Sequence, residues 1–489
     1  MDKHKYKVSK YQQAIYDWVK NGKGNAVIQA VAGSGKTSTI VEATNLIPSN
    51  KKCVFVAFNK AIADELKSKV PRHVEARTLH SLGLSFFRNN GLNPEIDTNK
   101  VTQLVESEIE DIEASQRGEY YTFLKRIIPL IKNTLIDYTN LEQLEDIKER
   151  FNITDDINDR MMLAIRRIIE KNNANTAKID FDDMIYLPVI LNLANGQYDW
   201  VLVDESQDLN RTQFELIKRI CNKNTRVIAV GDKRQSIYAF RGADTNSMDN
   251  FRTEFQAMEL PLSICYRCPK SHILLAKEIV PEIEASDFAE EGIVESVNLL
   301  DAVELAQDKD LILCRTNAPL IKVAFTLIRN GKKAIIRGRD IGANLIKMIE
   351  KYKANDLGDL YMKLEAFKKL NDDKLALIEK GKYDNKKKNS IMTNIDCVET
   401  IFAVMEDCDT IEEVKRKIES IFSDEKEGII CSSVHRAKGL QSENVFIINR
   451  DRMPHPMAKT DEEIEQEFNI LYVALTRSKH SLYMIRETI

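Results

Sequence analysis

Short β-type apolar runs recur along the chain, each followed by a stretch with apolar residues at three- and four-residue spacing. Residues 26–30, 53–58, 200–204 and 226–231 form an early set, and 311–315, 428–432, 444–449 and 480–485 a late one. Strands alternating with helices predict a parallel sheet covered by helices. Two sets predict two α/β units. The texture between them differs. Residues 85–178 are charged and helical, as in Met161-Met-Leu-Ala-Ile-Arg-Arg-Ile-Ile-Glu, and a second such block covers about 345–423. Both read as amphipathic helical insertions into α/β cores.

At 489 residues the chain exceeds one ordinary domain. A net charge of -4 excludes a histone-like polycation but not local basic grooves. The polar start Met1-Asp2-Lys3-His4-Lys5 and the lack of a long apolar run predict neither a signal peptide nor a membrane span. The expectation is a soluble protein, cytoplasmic or nucleoid-associated. Eight cysteines in such a length are no disulfide framework. Cys53, Cys221, Cys314 and Cys431 sit in apolar surroundings and read as reduced, buried thiols. Cys265-Tyr266-Arg267-Cys268 is a lone C-x-x-C without the second ligand pair that zinc needs.

Chemistry enters directly after the first strand, at Ala30-Val-Ala32-Gly33-Ser34-Gly35-Lys36-Thr37-Ser38. Glycines let the backbone wrap a phosphate chain, with N–H groups and a helix N-terminus facing the anion. Lys36 is placed to reach the β and γ phosphates, and Thr37 to hold Mg²⁺. Trp200-Val-Leu-Val-Asp204-Glu205 is an apolar strand ending in two carboxylates, at the sheet edge where ligands bind. Asp204 suits the magnesium, and Glu205 suits a water to be oriented and deprotonated. The pair predicts an NTP hydrolase. A third strand leads to Gly-Asp232-Lys-Arg-Gln235-Ser-Ile-Tyr238-Ala-Phe240-Arg241. Gln235 can sense a γ-phosphate, and an aromatic there can stack a nucleobase, although Tyr238 and Phe240 taken alone favour ordinary core packing.

Taken in order, these motifs resemble superfamily 1 DNA helicases of the UvrD/PcrA/Rep type. Gln12 resembles that family's adenine-reading glutamine. Ala57-Phe58-Asn59-Lys60, Thr78-Leu-His80-Ser81 and Asp180-Phe-Asp-Asp resemble segments of its first motor domain. Leu262-Ser-Ile-Cys-Tyr266-Arg267, Leu313-Cys-Arg315-Thr316-Asn317, Ser433-Val-His435-Arg-Ala-Lys438-Gly439-Leu440 and Leu471-Tyr472-Val-Ala-Leu-Thr476-Arg477 resemble segments of its second. The series spans nearly the whole chain. Ser206, Gln441 and Phe468-Asn469 depart from the usual spellings.

The resemblance implies two RecA-like motor domains of the P-loop NTPase fold. Residues 1–84 and 179–260 would form the first around the insertion 85–178. Residues 261–339 and 428–489 would form the second around a short insertion, 340–427. It implies ATP and Mg²⁺ as cofactors, held by Gln12, Ala32, Gly33, Ser34, Gly35, Lys36, Thr37, Ser38, Asp204, Tyr266 (stacked on adenine) and Gly439. Lys36, Glu205, Gln235 and two arginine fingers, Arg267 and Arg477, would carry catalysis from a cleft between the motor domains. Phe58, Asn59, His80, Tyr238, Phe240, Arg241 and His435 would contact single-stranded DNA. The implied activity is ATP-driven 3′-to-5′ movement on single strands and at single-strand/duplex junctions, by a monomer. The short second insertion leaves a translocase that strips proteins as the rival, and a nucleotide-gated scaffold as a more distant one. The lysine run around 380–388 could hold duplex phosphate, or be a solvated turn.

Overall fold

The computed structural model describes residues 8–151, 153, 155–237, 244, 246–380, 388–423 and 427–486. The chain divides into two units, Met1–Ser263 and Ile264–Ile489.

The first unit begins with α1 (Lys10–Asn21), β1 (Ala26–Ala30), α2 (Lys36–Thr44), β2 (Cys53–Ala57), α3 (Lys60–Lys67), β3 (Val74–Thr78) and α4 (Leu79–Asn89). A short parallel pair, β4 (Glu95–Ile96) and β5 (Lys178–Ile179), brackets α5 (Lys100–Ile109), α6 (Arg117–Thr134), α7 (Leu141–Arg150) and α8 (Asp159–Ala174). Then follow α9 (Asp183–Ile190), β6 (Tyr198–Val203), α10 (Arg211–Ile220), β7 (Cys221–Gly231), α11 (Ser247–Glu254) and β8 (Met258–Leu262). The sheet order is β3-β2-β6-β7-β1-β8, every pair parallel. Successive side chains leave opposite faces of a strand. Ile28 and Phe55 therefore enter one core with Ile15 and Ile40, while Val27 and Val54 enter the other with Phe86 and Ile217. β7 lies between β1 and β6, so the ends of these three strands meet on one side of the sheet.

Helices α5–α8 hold their own core, built on Val105, Phe123, Ile127, Ile165 and Ile168. Buried charge ties them to the motor. Lys132 of α6 bonds Asp180 and Asp183, each at 2.8 Å, and Lys100 of α5 reaches Asp183 at 2.7 Å.

The second unit comprises β9 (Ile264–Cys265), α12 (Lys270–Lys277), β10 (Glu284–Ala285), β11 (Ile293–Val297), α13 (Leu299–Leu305), β12 (Leu311–Cys314), α14 (Ala318–Arg329) and β13 (Ala334–Arg337). Next come α15 (Arg339–Lys351), α16 (Leu357–Glu379), α17 (Lys388–Met405), α18 (Ile411–Ile421), β14 (Phe422–Ser423), β15 (Ile429–Ser433), β16 (Ser442–Ile448), α19 (Asp461–Leu475) and β17 (Ser478–Ile485). Its sheet runs β11-β17-β16-β12-β15-β13-β14, again parallel throughout. The inserted helices α15–α18 share one core with it, Leu345, Leu364, Val398 and Ile418 packing with Ile312 and Ile336. Both units are RecA-like parallel α/β folds with mainly helical insertions, the class the strand–helix alternation predicts. Among the described residues, no helix is long and apolar enough to cross a membrane.

Candidate functional site

The site begins where β1 ends. Gly33 and Gly35 have φ of 67° and 76°, the left-handed region that glycine enters without strain. A side chain at Gly35 would meet nothing within 4 Å, so the backbone angle alone demands glycine there. Gly35 also caps α2 without a side-chain bond, which leaves first-turn N–H groups facing outward for an anion. Lys36 and Thr37 open that helix, Ser38 is exposed, and Ala32 and Ser34 are buried beneath the loop. The Ser34 hydroxyl has no hydrogen-bond partner among the described residues. Gln12 is fixed from two sides. Its carbonyl accepts the Ser9 N–H at 3.0 Å, and its amide donates to Thr39 Oγ1 of α2 at 3.1 Å.

At the end of β6, Thr37 Oγ1 donates to Asp204 Oδ2 at 2.8 Å, and the Glu205 N–H donates to Asp204 Oδ1 at 2.9 Å. Burial and the adjacent Glu205 charge push the Asp204 carboxyl up to about 6, against Thr37 and Lys36, which pull it down. Glu205 itself sits at φ 50°. A non-glycine residue there stores about 1–3 kcal/mol of strain, a feature that clusters at functional sites. Its Oε2 accepts from Gln207 Nε2 at 2.6 Å. Gln207 also accepts the Asp232 N–H at 3.1 Å, and Asp232 Oδ2 accepts from Gln235 Nε2 at 2.7 Å. Burial raises the Asp232 carboxyl, with Lys36 opposing. One chain of bonds thus joins Glu205 to Gln235 through Gln207 and Asp232. Neither linking residue had been given a role from the sequence. The available signal was Gly231, where a Cβ would lie 2.4 Å from Gln207 Oε1 and push that side chain aside.

Other candidates lie beyond the ends of β2 and β3, on the ligand side of a parallel sheet. Phe58 is 51% exposed, and Asn59 caps α3 by accepting the Ile62 N–H at 2.9 Å. His80 packs edge-on against Phe181, ring centroids 6.3 Å apart, and burial lowers its pKa toward the neutral imidazole. Phe181, 55% exposed, adds a ring that sequence reasoning quoted but did not assign. Tyr238, Phe240 and Arg241 lie outside the described residues, as does most of the lysine run at 380–388.

In the second unit, Arg267 Nη1 donates to the Thr476 carbonyl at 3.0 Å. The next residue, Arg477, is only 2% exposed; its Nε donates to Val473 O at 2.9 Å and its Nη1 to Leu440 O at 3.4 Å. Thr476 thus gathers both arginines, and the Leu440 contact brings Gly439 (φ 86°) to the same corner. Tyr266, beside Arg267, is half-buried. His435 lies in the turn between β15 and β16, half-buried.

Residues 11–256 match the model for the UvrD/REP helicase N-terminal domain, and residues 428–485 that for the UvrD-like helicase C-terminal domain. A probable DNA helicase II homolog of Mycoplasma genitalium is 23% identical, with 95% of this chain and 83% of that protein covered. The ATP-dependent DNA helicase PcrA of Staphylococcus epidermidis is 26% identical over 54% of this chain and 38% of its own length. The ATP-dependent DNA helicase Rep of Buchnera aphidicola is 28% identical over 47% of this chain and 37% of its own. The match to PcrA and Rep therefore spans well under half of either relative. With the family model covering half the chain and the phosphate loop, acidic strand end and arginine corner all in place, the chain belongs to the UvrD/Rep helicase family.

Proposed function

We propose that this protein is an ATP-dependent DNA helicase or translocase that moves 3′-to-5′ along single strands. The observation that carries the reading is the bond between Thr37 and Asp204, with Glu205 beside it and Lys36 on the same helix. Lys36 neutralises the β and γ phosphates while the N–H groups of the loop orient them. Thr37 and Asp204 fit Mg²⁺: both offer hard oxygens, and the burial that raises the Asp204 carboxyl is relieved by a cation. Bound there, the ion would offset charge on the phosphate chain. Glu205 orients and deprotonates the attacking water, held in position by Gln207. Gln235, held by Asp232, senses the γ-phosphate. Arg267 and Arg477 are proposed as arginine fingers, whose positive charge stabilises the transition state of phosphoryl transfer. Gln12 and Tyr266 read the adenine. Ala32, Gly33, Ser34, Gly35, Ser38 and Gly439 shape the nucleotide's surroundings.

Phe58, Asn59 and His80 are proposed as strand contacts in the first unit, with Tyr238, Phe240 and Arg241, and His435 in the second. Stacking on rings tolerates every base, which suits a motor that must pass any sequence. The motor domains are proposed as residues 1–84 with 179–260, and 261–339 with 428–489.

The test is displacement of a short strand from duplexes bearing a 3′ or a 5′ single-stranded tail, with ATP turnover recorded in the same tubes. Displacement from the 3′ tail alone is expected. Displacement from the 5′ tail alone overturns the direction. Strand-stimulated turnover without displacement from either tail leaves a translocase, and no turnover at all rejects the motor.

A further inference from the structure

We propose that Cys265 and Cys268 form a peroxide-sensitive dithiol whose oxidation to a disulfide stops ATP turnover. The regulatory half rests on the reading of Arg267 and Arg477 given above; the bond itself does not.

The pair encloses Tyr266 and Arg267 in one tight turn at the end of β9. The Cys268 N–H donates to Cys265 Sγ at 3.4 Å. The Cys268 thiol lies 3.6 Å from the Thr476 carbonyl, the same oxygen that accepts Arg267 Nη1 at 3.0 Å. A single carbonyl, one residue before Arg477, therefore meets both the thiol and Arg267.

The two sulfurs differ in a way that suits sequential chemistry. The Cys268 thiol and the N–H groups of Cys268 and Arg267 donate to Cys265, holding it down at about 7, with the Arg267 charge assisting. The same hydrogen bond and burial hold Cys268 far above the ordinary thiol range, so it keeps its proton. Low-pKa thiolates in C-x-x-C turns are the nucleophiles of thiol oxidation. The remaining cysteines lack this asymmetry. Burial pushes Cys221 and Cys431 up to about 12, and Cys314 and Cys397 up to about 11. It raises Cys53 and Cys408 as well.

The oxidant is hydrogen peroxide, small enough for sulfurs that are 0% and 2% exposed. The Cys265 thiolate attacks one peroxide oxygen and the O–O bond breaks; with a proton taken up, water leaves and Cys265 becomes a sulfenic acid. The Cys268 sulfur then attacks Cys265 Sγ, the S–O bond breaks, and the hydroxyl leaves as water with the Cys268 proton. Two thiols and one peroxide give one disulfide and two waters. Bonding at about 2.0 Å closes the turn on Tyr266 and Arg267 and draws the Cys268 sulfur away from the Thr476 carbonyl.

Full-length protein is exposed to graded peroxide, its remaining thiols are alkylated, and the cysteines are mapped by mass. Single-strand-stimulated ATP turnover is read on the same samples. The expected result is an intramolecular Cys265–Cys268 bond forming before any other cysteine oxidises. Turnover should fall about tenfold or more, consistent with displaced arginine fingers, and dithiothreitol should restore it. Cys265→Ser and Cys268→Ser proteins, tested separately, should turn over like the parent and ignore peroxide. Absence of the mapped bond overturns the proposal, as does bond formation with turnover unchanged, or equal peroxide loss in both serine variants. If the reduced protein hydrolyses no ATP, the functional reading fails, and the mapping still decides whether the dithiol exists.

Discussion

Thr37 Oγ1 and Asp204 Oδ2 are joined at 2.8 Å across 167 residues of sequence, linking the first turn of α2 to the end of β6. Those are the two oxygens a magnesium ion would use, and the carboxyl is held up at about 6 chiefly by burial. The sign follows. A raised carboxyl favours the protonated form in the folded, cation-free protein, so its contribution to stability is present near pH 4 and is lost as pH rises through about 6. The cation needs the ionised form. The apparent magnesium requirement for ATP turnover should therefore be flat above pH 7 and rise about tenfold per pH unit below 6. Magnesium titrations of initial rate at several pH values check this; a pH-independent requirement removes Asp204 from the site.

Glu205→Gln keeps the shape of the side chain and removes its basicity. Turnover should fall by about 10²–10⁴, the usual worth of a positioned general base, while ATP binding survives. Lys36→Ala should lose turnover together with nucleotide affinity. Rates measured beside equilibrium binding of a fluorescent ATP analogue separate the two. Near-normal turnover by Glu205→Gln refutes the base assignment.

Gln207 bonds Glu205, Asp208 and the Asp232 backbone. As a positioning residue it should act on kcat alone. Gln207→Ala is expected to lower kcat about tenfold with KM for ATP unchanged, the pattern of an interaction needed only in the transition state. A parallel rise in KM would mean that the acidic loop had collapsed.

The central strands were legible because β1, β2, β6 and the second half of β7 are largely apolar, with Gln29 the one polar break in β1, the mark of strands buried on both faces. Of the strands not expected from the sequence, β3, β8 and β11 lack that mark. β3 alternates as Val-Glu-Ala-Arg-Thr at a sheet edge, with Glu75 in solvent. β8 carries Pro261, which a sheet tolerates only at an edge. β11 is mostly exposed. Within the site, the motif residues could be read because glycine angles and paired acids are local. Gln207 and Asp232 could not, since their roles come from a contact between the ends of two strands. Lys100 and Lys132 carry no local signal of their role: they are 3% and 0% exposed because their carboxylate partners lie 83 and 48 residues further along.

That buried pair supplies the sharpest stability test. Burial pulls the Lys132 ammonium down, but Asp183 and Asp180 outweigh it and keep it charged. Asp183 also receives Lys100 at 2.7 Å and Asn172 at 2.8 Å. Removing Lys132 leaves two buried carboxylates facing one ammonium. Breaking a buried pair from one side costs about 3–5 kcal/mol, whereas removing both charges is often neutral. Lys132→Met should therefore destabilise the first unit by that amount, and adding Asp180→Asn should recover at least half. The readout is selective: both tryptophans, Trp18 and Trp200, lie in the first unit, their rings 6.4 Å apart with the Arg226 guanidinium 4.2 Å from each. Urea unfolding followed by tryptophan fluorescence thus reports on that unit alone. A loss under about 1 kcal/mol for Lys132→Met would place the pair among surface-like ion pairs, and the helical insertion would then be held to the motor by apolar packing.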